Sequence, residues 1–462
     1  MAFVRVLAYA SAPRTGPWSE SLRMSPRKRL ASRVFVTISL LSAPCFANGR
    51  FPAADQLVVD PGDPTHLLLR ATFGLLESHD AGLSWSWICE AAVGYTGDPA
   101  ITVLGGGNVL AGYFDFVSVS HSAGCGWNAT KLDARFRYAF DVTLDVADAS
   151  RAWVLAGSVE GALQVGLSLV DGSGAIGEVL EVGAGFVPVT VEVAPSNADR
   201  IYVSGLVENT GAVVLRSNDR GRTWQRFAVA GSPGLPLFIS AVDPVDPDRL
   251  YARIDGGGAA VAQATTNDAP SDQLLVSSDG GETWRTIFAL DADLLGFALS
   301  ADGGRLAVGA PGRGVYVAST SDFEFRLTAP VSVLRCLRWI EGSLWACGQE
   351  NLDGWTLARS TDDGASFEAV WHQQDLRPLE CSASGAGNAC RLEWPTVARS
   401  IQADPSLAAP SGSAGSDAES APNENASAAA AGCALPAGAP SRSCATALAA
   451  ALAWLARRRH RR

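Results

Sequence analysis

An all-β fold is what the sequence predicts, and three observations predict it. The block S-x-D-x-G-x-[ST]-W recurs, as SHDAGLSW at 78–85, SNDRGRTW at 217–224 and SSDGGETW at 277–284. An apolar run broken by a Pro/Asp turn comes before each block: VVDPGDP then HLLL at 58–69, VAP then RIYV at 193–203, and VDPVDP then RLYA at 242–252. No helical periodicity interrupts these modules before the C-terminus. A strand into the Pro/Asp turn, a strand out, a third strand into the block and a fourth opened by the block's Trp make a four-stranded antiparallel meander.

Two further copies of the block are blurred, STDDGASF at 360–367 and SHSAGCGW at 120–127, and decayed positions fall near Ser168 and at 319–322. The third strands then end near residues 78, 120, 168, 217, 277, 319 and 360, spaced by 42, 48, 49, 60, 42 and 41. This is the range of propeller blades, so the reading is a seven-bladed β-propeller of four-stranded antiparallel blades, with six or eight left open. A closed ring also removes exposed sheet edges.

Within each block the residue types have architectural uses. An Asp in a tight turn accepts backbone N–H groups, the Gly takes positive φ, and the Trp buries its indole against a neighbouring sheet. Asp80, Gly82 and Trp85, then Asp219, Gly221 and Trp224, Asp279, Gly281 and Trp284, and Asp362, Gly364 and Phe367 are accordingly read as structural. The blocks resemble the Asp-box (BNR) repeat of sialidases, sortilins, certain glucan hydrolases and photosystem II assembly factors, across residues 55–374. That resemblance implies a propeller, with the ligand on the rim opposite the boxes.

The flanks divide the chain. Residues 1–47 read as an N-terminal extension and signal peptide: a basic stretch from Met24, an apolar run at 34–41 and small residues before a cleavage point after Ala47, with Met1 or Met24 as the start. The propeller is placed at 48–400. Residues 401–432 are an Ala/Ser/Pro-rich disordered linker, unable to bury a core. In 433–462, a Cys, a short apolar helix and a terminal Arg cluster resemble the MYXO-CTERM sorting signal, which implies processing and surface anchoring; a simple membrane anchor is the alternative, although the apolar run is short for a span.

The formal charge is −11, but residues 1–47 carry seven basic and one acidic side chain and residues 445–462 carry five arginines, leaving −22 on the rest. Such a surface excludes nucleic acid as a partner. Nine cysteines fit an exported chain. Cys336 and Cys347 flank a hairpin turn at Glu341-Gly342 and pair across it; Cys381 with Cys390 and Cys89 with Cys125 are the other expected bridges.

Seven residues on the rim opposite the blocks are candidate ligand contacts: Tyr95, Tyr113, Asp115, Arg137, Asp255, Asn351 and Asp353. Aromatics beside carboxylates suit sugars or peptides, while inter-blade packing is the competing role. No catalytic residue, metal site or cofactor is expected, because the five His are scattered and no Ser/His/Asp set appears. The sialidase Arg-Ile-Pro motif is absent, and glucan hydrolases of this repeat type use two propellers where one fits here. The expected function is a binding or scaffolding module at the cell envelope for a glycan or protein ligand, handled by export and C-terminal sorting machinery. A glycoside hydrolase, or a chaperone-like module resembling the photosystem assembly factors, are the alternatives.

Overall fold

The computed structural model describes residues 52–408 apart from 96, 122, 209, 233, 257–271 and 382–384. The expected signal peptide, the linker beyond residue 408, the sorting tail and most of the 253–272 insertion lie outside the described residues.

Seven sheets succeed one another along the chain, each made of four consecutive antiparallel strands, at residues 54–88, 100–131, 138–184, 187–228, 237–290, 296–329 and 336–371. Their third strands are Gly74–Ser78, Phe116–His121, Gln164–Asp171, Gly211–Ser217, Asp272–Ser277, Gly314–Ser319 and Leu357–Ser360, at the predicted positions. The middle strands of each blade are almost wholly apolar, as in Leu67–Ala71 and Arg305–Ala310, because blades pack on both of their faces.

The recurring block is a self-contained turn. In 277–284, the Ser277 hydroxyl donates to Asp279 Oδ1 at 2.8 Å and accepts from the Gly281 N–H at 2.9 Å. Asp279 also accepts from the Thr283 N–H and hydroxyl at 2.9 and 2.5 Å, and the Trp284 indole donates to the Gly281 carbonyl at 3.1 Å. The same bonds recur around Asp80 and Asp219, and the Asp362 copy, ending in Phe367, lacks only the indole bond. Gly281 sits at φ +88, and a Cβ there would lie 2.9 Å from Val214 of the preceding blade. Gly82 of the first blade approaches Trp345 of the seventh in the same way, so the ring closes through the kind of contact that joins neighbouring blades elsewhere.

The segment after the last blade reinforces closure. Arg377–Pro378 pairs parallel to Ser86 and Trp87 as a fifth strand on the first blade. The helix Gly385–Ile401 then buries Trp394, Val397, Ala398 and Ile401 in one core with Trp85 and Trp87 of the first blade and Trp345 and Trp371 of the seventh. This helix corrects the expectation of sheet up to residue 400. Gly385, Gly387 and Pro395 disguise it in the sequence, since each disfavours a helix interior.

The cysteine pairing is corrected as well. Cys336 joins Cys347, its register partner across the hairpin. Cys89 is not bonded to Cys125, nor Cys381 to Cys390: Cys89 bonds Cys390, 301 residues away, and Cys125 bonds Cys381, 256 away. The segment beyond the propeller folds back over the first two blades, which puts both of its cysteines against theirs. Three disulfides among the described residues belong to an oxidising compartment, and no described helix is long and apolar enough to cross a membrane.

Candidate functional site

Topology puts the seven rim candidates in or beside the connections opposite the block turns, Tyr113 at the end of the strand Val109–Tyr113, but it does not gather them. Tyr95 and Tyr113 are buried, with ring centroids 5.9 Å apart, in the core between the first two blades. They take the packing role. Asp353 accepts from the backbone N–H groups of Ser332, Val333 and Gln349 at 2.6, 3.1 and 3.0 Å, fixing the loop into the seventh blade. Asn351 is exposed on the short helix Glu350–Asp353 of that same loop. Asp255 follows the second strand of the fifth blade, and its charge adds to the burial that disfavours ionisation of Asp272. Asp115 and Arg137 line one cleft of about 600 Å³ with Arg135, Tyr138 and Gln164.

The larger concavity is the central channel, about 690 Å³, which prediction from the sequence passed over. Its wall is made largely by the innermost strands, including Ala54–Val59, Tyr138–Leu144, Val187–Ala194, Leu237–Val242 and Cys336–Ile340. Side chains alternate along a strand, so those pointing to the axis come in register: Asp141, Thr190 and Glu192, Ser240 and Arg338. Arg70, Arg253 and Arg335 add positive charge, and Phe238, Leu294 and Phe297 supply apolar wall.

Innermost strands have one edge unpaired within their own blade, and polar side chains of the neighbouring blade satisfy it. Asp141 accepts the N–H of Val191 at 2.9 Å, and Thr190 accepts the N–H of Ile239 at 3.1 Å. Asp141 also accepts from Val142 at 2.9 Å. Both channel carboxylates keep a partly exposed surface toward the lumen while protein surrounds them. Burial pushes Asp141 up to about 7 against the two hydrogen bonds that oppose it. Burial and then the negative charge of Asp141 push Glu192 up to about 8, with Arg338 opposing. The block carboxylates behave oppositely: the Thr223 hydroxyl and N–H hold Asp219 at about 2, and Ser366 does the same for Asp362.

A raised carboxylate binds more protons folded than unfolded, so stability falls as pH rises from the ordinary value, 4.5 for Glu192, through its folded value near 8. Urea unfolding at about pH 5.5 and about pH 8.5 will show lower stability at the higher pH, and Glu192→Gln will shrink that difference. An unchanged difference would remove Glu192 as its source.

Asp141 and Glu192 had a visible signal, a lone acid inside the apolar strands YAFDVTL and VPVTVEVA. An edge-facing acid looks like a solvent-facing one until the ring closes.

Fold and site together define the class: an all-β, seven-bladed propeller with four-stranded antiparallel blades, stapled by disulfides, with a charged axial channel. No protein-family model matches the sequence, and no curated protein does. Among solved structures the chain is similar to Sqt1 of Saccharomyces cerevisiae at 12% identity and a TM-score of 0.47, covering 73% of this chain and 92% of that one. It is also similar to an ancestral GH74 enzyme, at 13% identity and a TM-score of 0.39, covering 70% of this chain but 39% of that one. The GH74 xyloglucanase of Xanthomonas campestris matches at 17% identity and a TM-score of 0.29, over 68% and 64% of the two chains. The chain therefore spans less than two thirds of these GH74 enzymes.

Proposed function

We propose that the protein is an exported binding or scaffolding propeller of the Asp-box type that holds a glycan or protein ligand at its axial channel, without turnover. In this reading residues 1–47 are removed on export, residues 48–400 carry the binding module, and the 401–432 stalk and 433–462 tail anchor it at the cell envelope through the sorting machinery. Arg338 carries the reading. Among the described residues it has no hydrogen-bond or ion-pair partner, and the charge acting on it is that of Glu192. A guanidinium left unmatched beside apolar wall suits a ligand that brings a carboxylate or several hydroxyls.

Asp141 and Glu192 favour a second reading, a glycoside hydrolase, because acid–base catalysis uses carboxylates whose proton affinities are raised. Against it, Asp141 has both oxygens engaged by backbone N–H groups at the joint between blades. One experiment separates the two. Purified protein and its Arg338→Ala variant are tested against arrayed glycans and peptides, alongside hydrolysis assays on sialosides and β-glucans. The binding reading expects at least about a tenfold loss of affinity in the variant, unchanged melting, and no hydrolysis. Hydrolysis that disappears in Glu192→Gln selects the second reading instead.

A further inference from the structure

The turn between first and second strands is built alike in three blades. Asp60, Asp145 and Asp243 each donate their N–H to the carbonyl six residues on, that of His66, Arg151 and Arg249, at 3.0, 3.0 and 2.8 Å. Each Asp also uses one carboxylate oxygen on an N–H within the turn. In the third blade the other oxygen of Asp145 is met by Arg151 at 3.0 Å, a permanent cation. The first blade places an imidazole there, and two other positions change with it.

Glu77, on the third strand, occupies the place held by Arg216, Val276 and Arg359 in blades four, five and seven, each one residue before the block serine. The residue after that serine is His79. His66 and Glu77 are 2% and 4% exposed and Asp60 5%, whereas the His79 side chain is open to solvent. His66 Nδ1 lies 3.0 Å from Asp60 Oδ2 and its Nε2 lies 2.9 Å from Glu77 Oε1. His79 Nε2 lies 3.7 Å from that same oxygen, and its ring stacks on His66 at 4.4 Å.

We propose that His66 Nε2, Glu77 Oε1 and His79 Nε2 bind one divalent transition cation of the zinc class, with Asp60 orienting His66. Their ligand atoms all lie within 4.8 Å of one another. Bonds of about 2.0–2.2 Å in a tetrahedron put neighbouring ligand atoms about 3.3 Å apart, and because a ligating nitrogen points its lone pair in the ring plane, the exposed His79 must turn out of its stack on His66 to complete the set. Charge argues the same way. Without a metal, the two buried carboxylates share the buried His66, and a second positive charge would have to come from the solvent-exposed His79 at 3.7 Å. A divalent ion balances both carboxylates while His66 and His79 stay neutral. Asp60 then accepts the Nδ1–H of His66, the carboxylate–histidine arrangement that fixes the tautomer of a metal ligand. Two His and one Glu leave a fourth position facing solvent, open to water or to a donor from a partner. The box turn and the Pro/Asp turn meet on one rim, which is how residues 11 and 13 positions beyond His66 come to share a site with it.

The test uses the full chain, purified without a polyhistidine tag and stripped with a chelator. Zinc is titrated by calorimetry, and Co²⁺ is followed by its visible absorption, whose intensity reports four-coordination. The expected result is one equivalent bound, a four-coordinate cobalt spectrum, and at least about tenfold weaker binding in His79→Ala. His79 is exposed, so that variant keeps the apo melting temperature. His372→Ala, a histidine paired with Glu350 in the seventh blade, serves as a control and leaves binding unchanged. No zinc binding in the micromolar range, or binding that survives His79→Ala, overturns the proposal and leaves His66 as a stand-in for the arginines of the other blades.

Discussion

Trp394→Ala will lower the unfolding free energy by about 3–5 kcal/mol, the cost of emptying a fully buried indole site. Trp394 is wholly enclosed, its ring centroid lies 5.8 Å from that of Trp87, and its Nε1–H donates to the Asp404 carbonyl at 3.0 Å. The effect reaches beyond one cavity, because this core joins the first blade, the seventh blade and the C-terminal helix in a single cluster. With natural domains stable by roughly 5–15 kcal/mol, such a loss is large. Denaturant unfolding followed by tryptophan fluorescence measures it, and limited proteolysis will cut the variant near residues 385–401 before the wild type. A loss below about 1 kcal/mol would mean that the helix is an appendage and that the ring closes without it.

Opening both long disulfides will destabilise the fold more than opening either alone. Cys89–Cys390 and Cys125–Cys381 are nested, so while one remains, the other closes only the short stretches between the two bridges. Single replacements by alanine are expected to cost about 2–4 kcal/mol each, with the second loss the greater because it frees a loop spanning most of the ring. The Cys336–Cys347 bridge spans 11 residues inside one hairpin and will cost the least. Melting temperatures of the three single variants and the nested double variant test this order. Equal shifts for all four would show that the bridges do not act by holding the ends of the chain together.

Both results bear on how this ring is closed. Among the described residues each blade has its own four consecutive strands, so neither the first nor the seventh blade borrows one of its four from the other end of the chain. The lock is external: a fifth strand on the first blade, two disulfides and a tryptophan-bearing helix. The sequence carried part of this signal. Cys390, Trp394, Val397, Ala398 and Ile401 fall on one helical face, yet two glycines and a proline in the same stretch speak against a helix. Packing against the seam between two blades decides the matter, which local preference cannot register.

The candidate site was legible in reverse proportion to how far apart its members lie in the chain. Asp353 looked like a rim ligand because it is acidic and sits in a loop, but three nearby backbone N–H groups consume it. Asp141, Glu192 and Arg338 were passed over because each is a lone charge in an apolar strand, and only the ring axis brings them together. His66 and His79 likewise read as scattered histidines until the two turns of one blade met.

The chain alone determined the repeated unit: where each turn falls, which residues tie it, and a spacing that favours seven such units, the number the structure then fixes. Those are short-range matters, fixed by hydrogen bonds and backbone geometry across a few residues. How the four distant cysteines pair, which helix seals the ring and which charges share the channel were decided by the tertiary structure. They depend on contacts between segments tens to hundreds of positions apart, whose meeting is set by closure of the circle and by no local pattern.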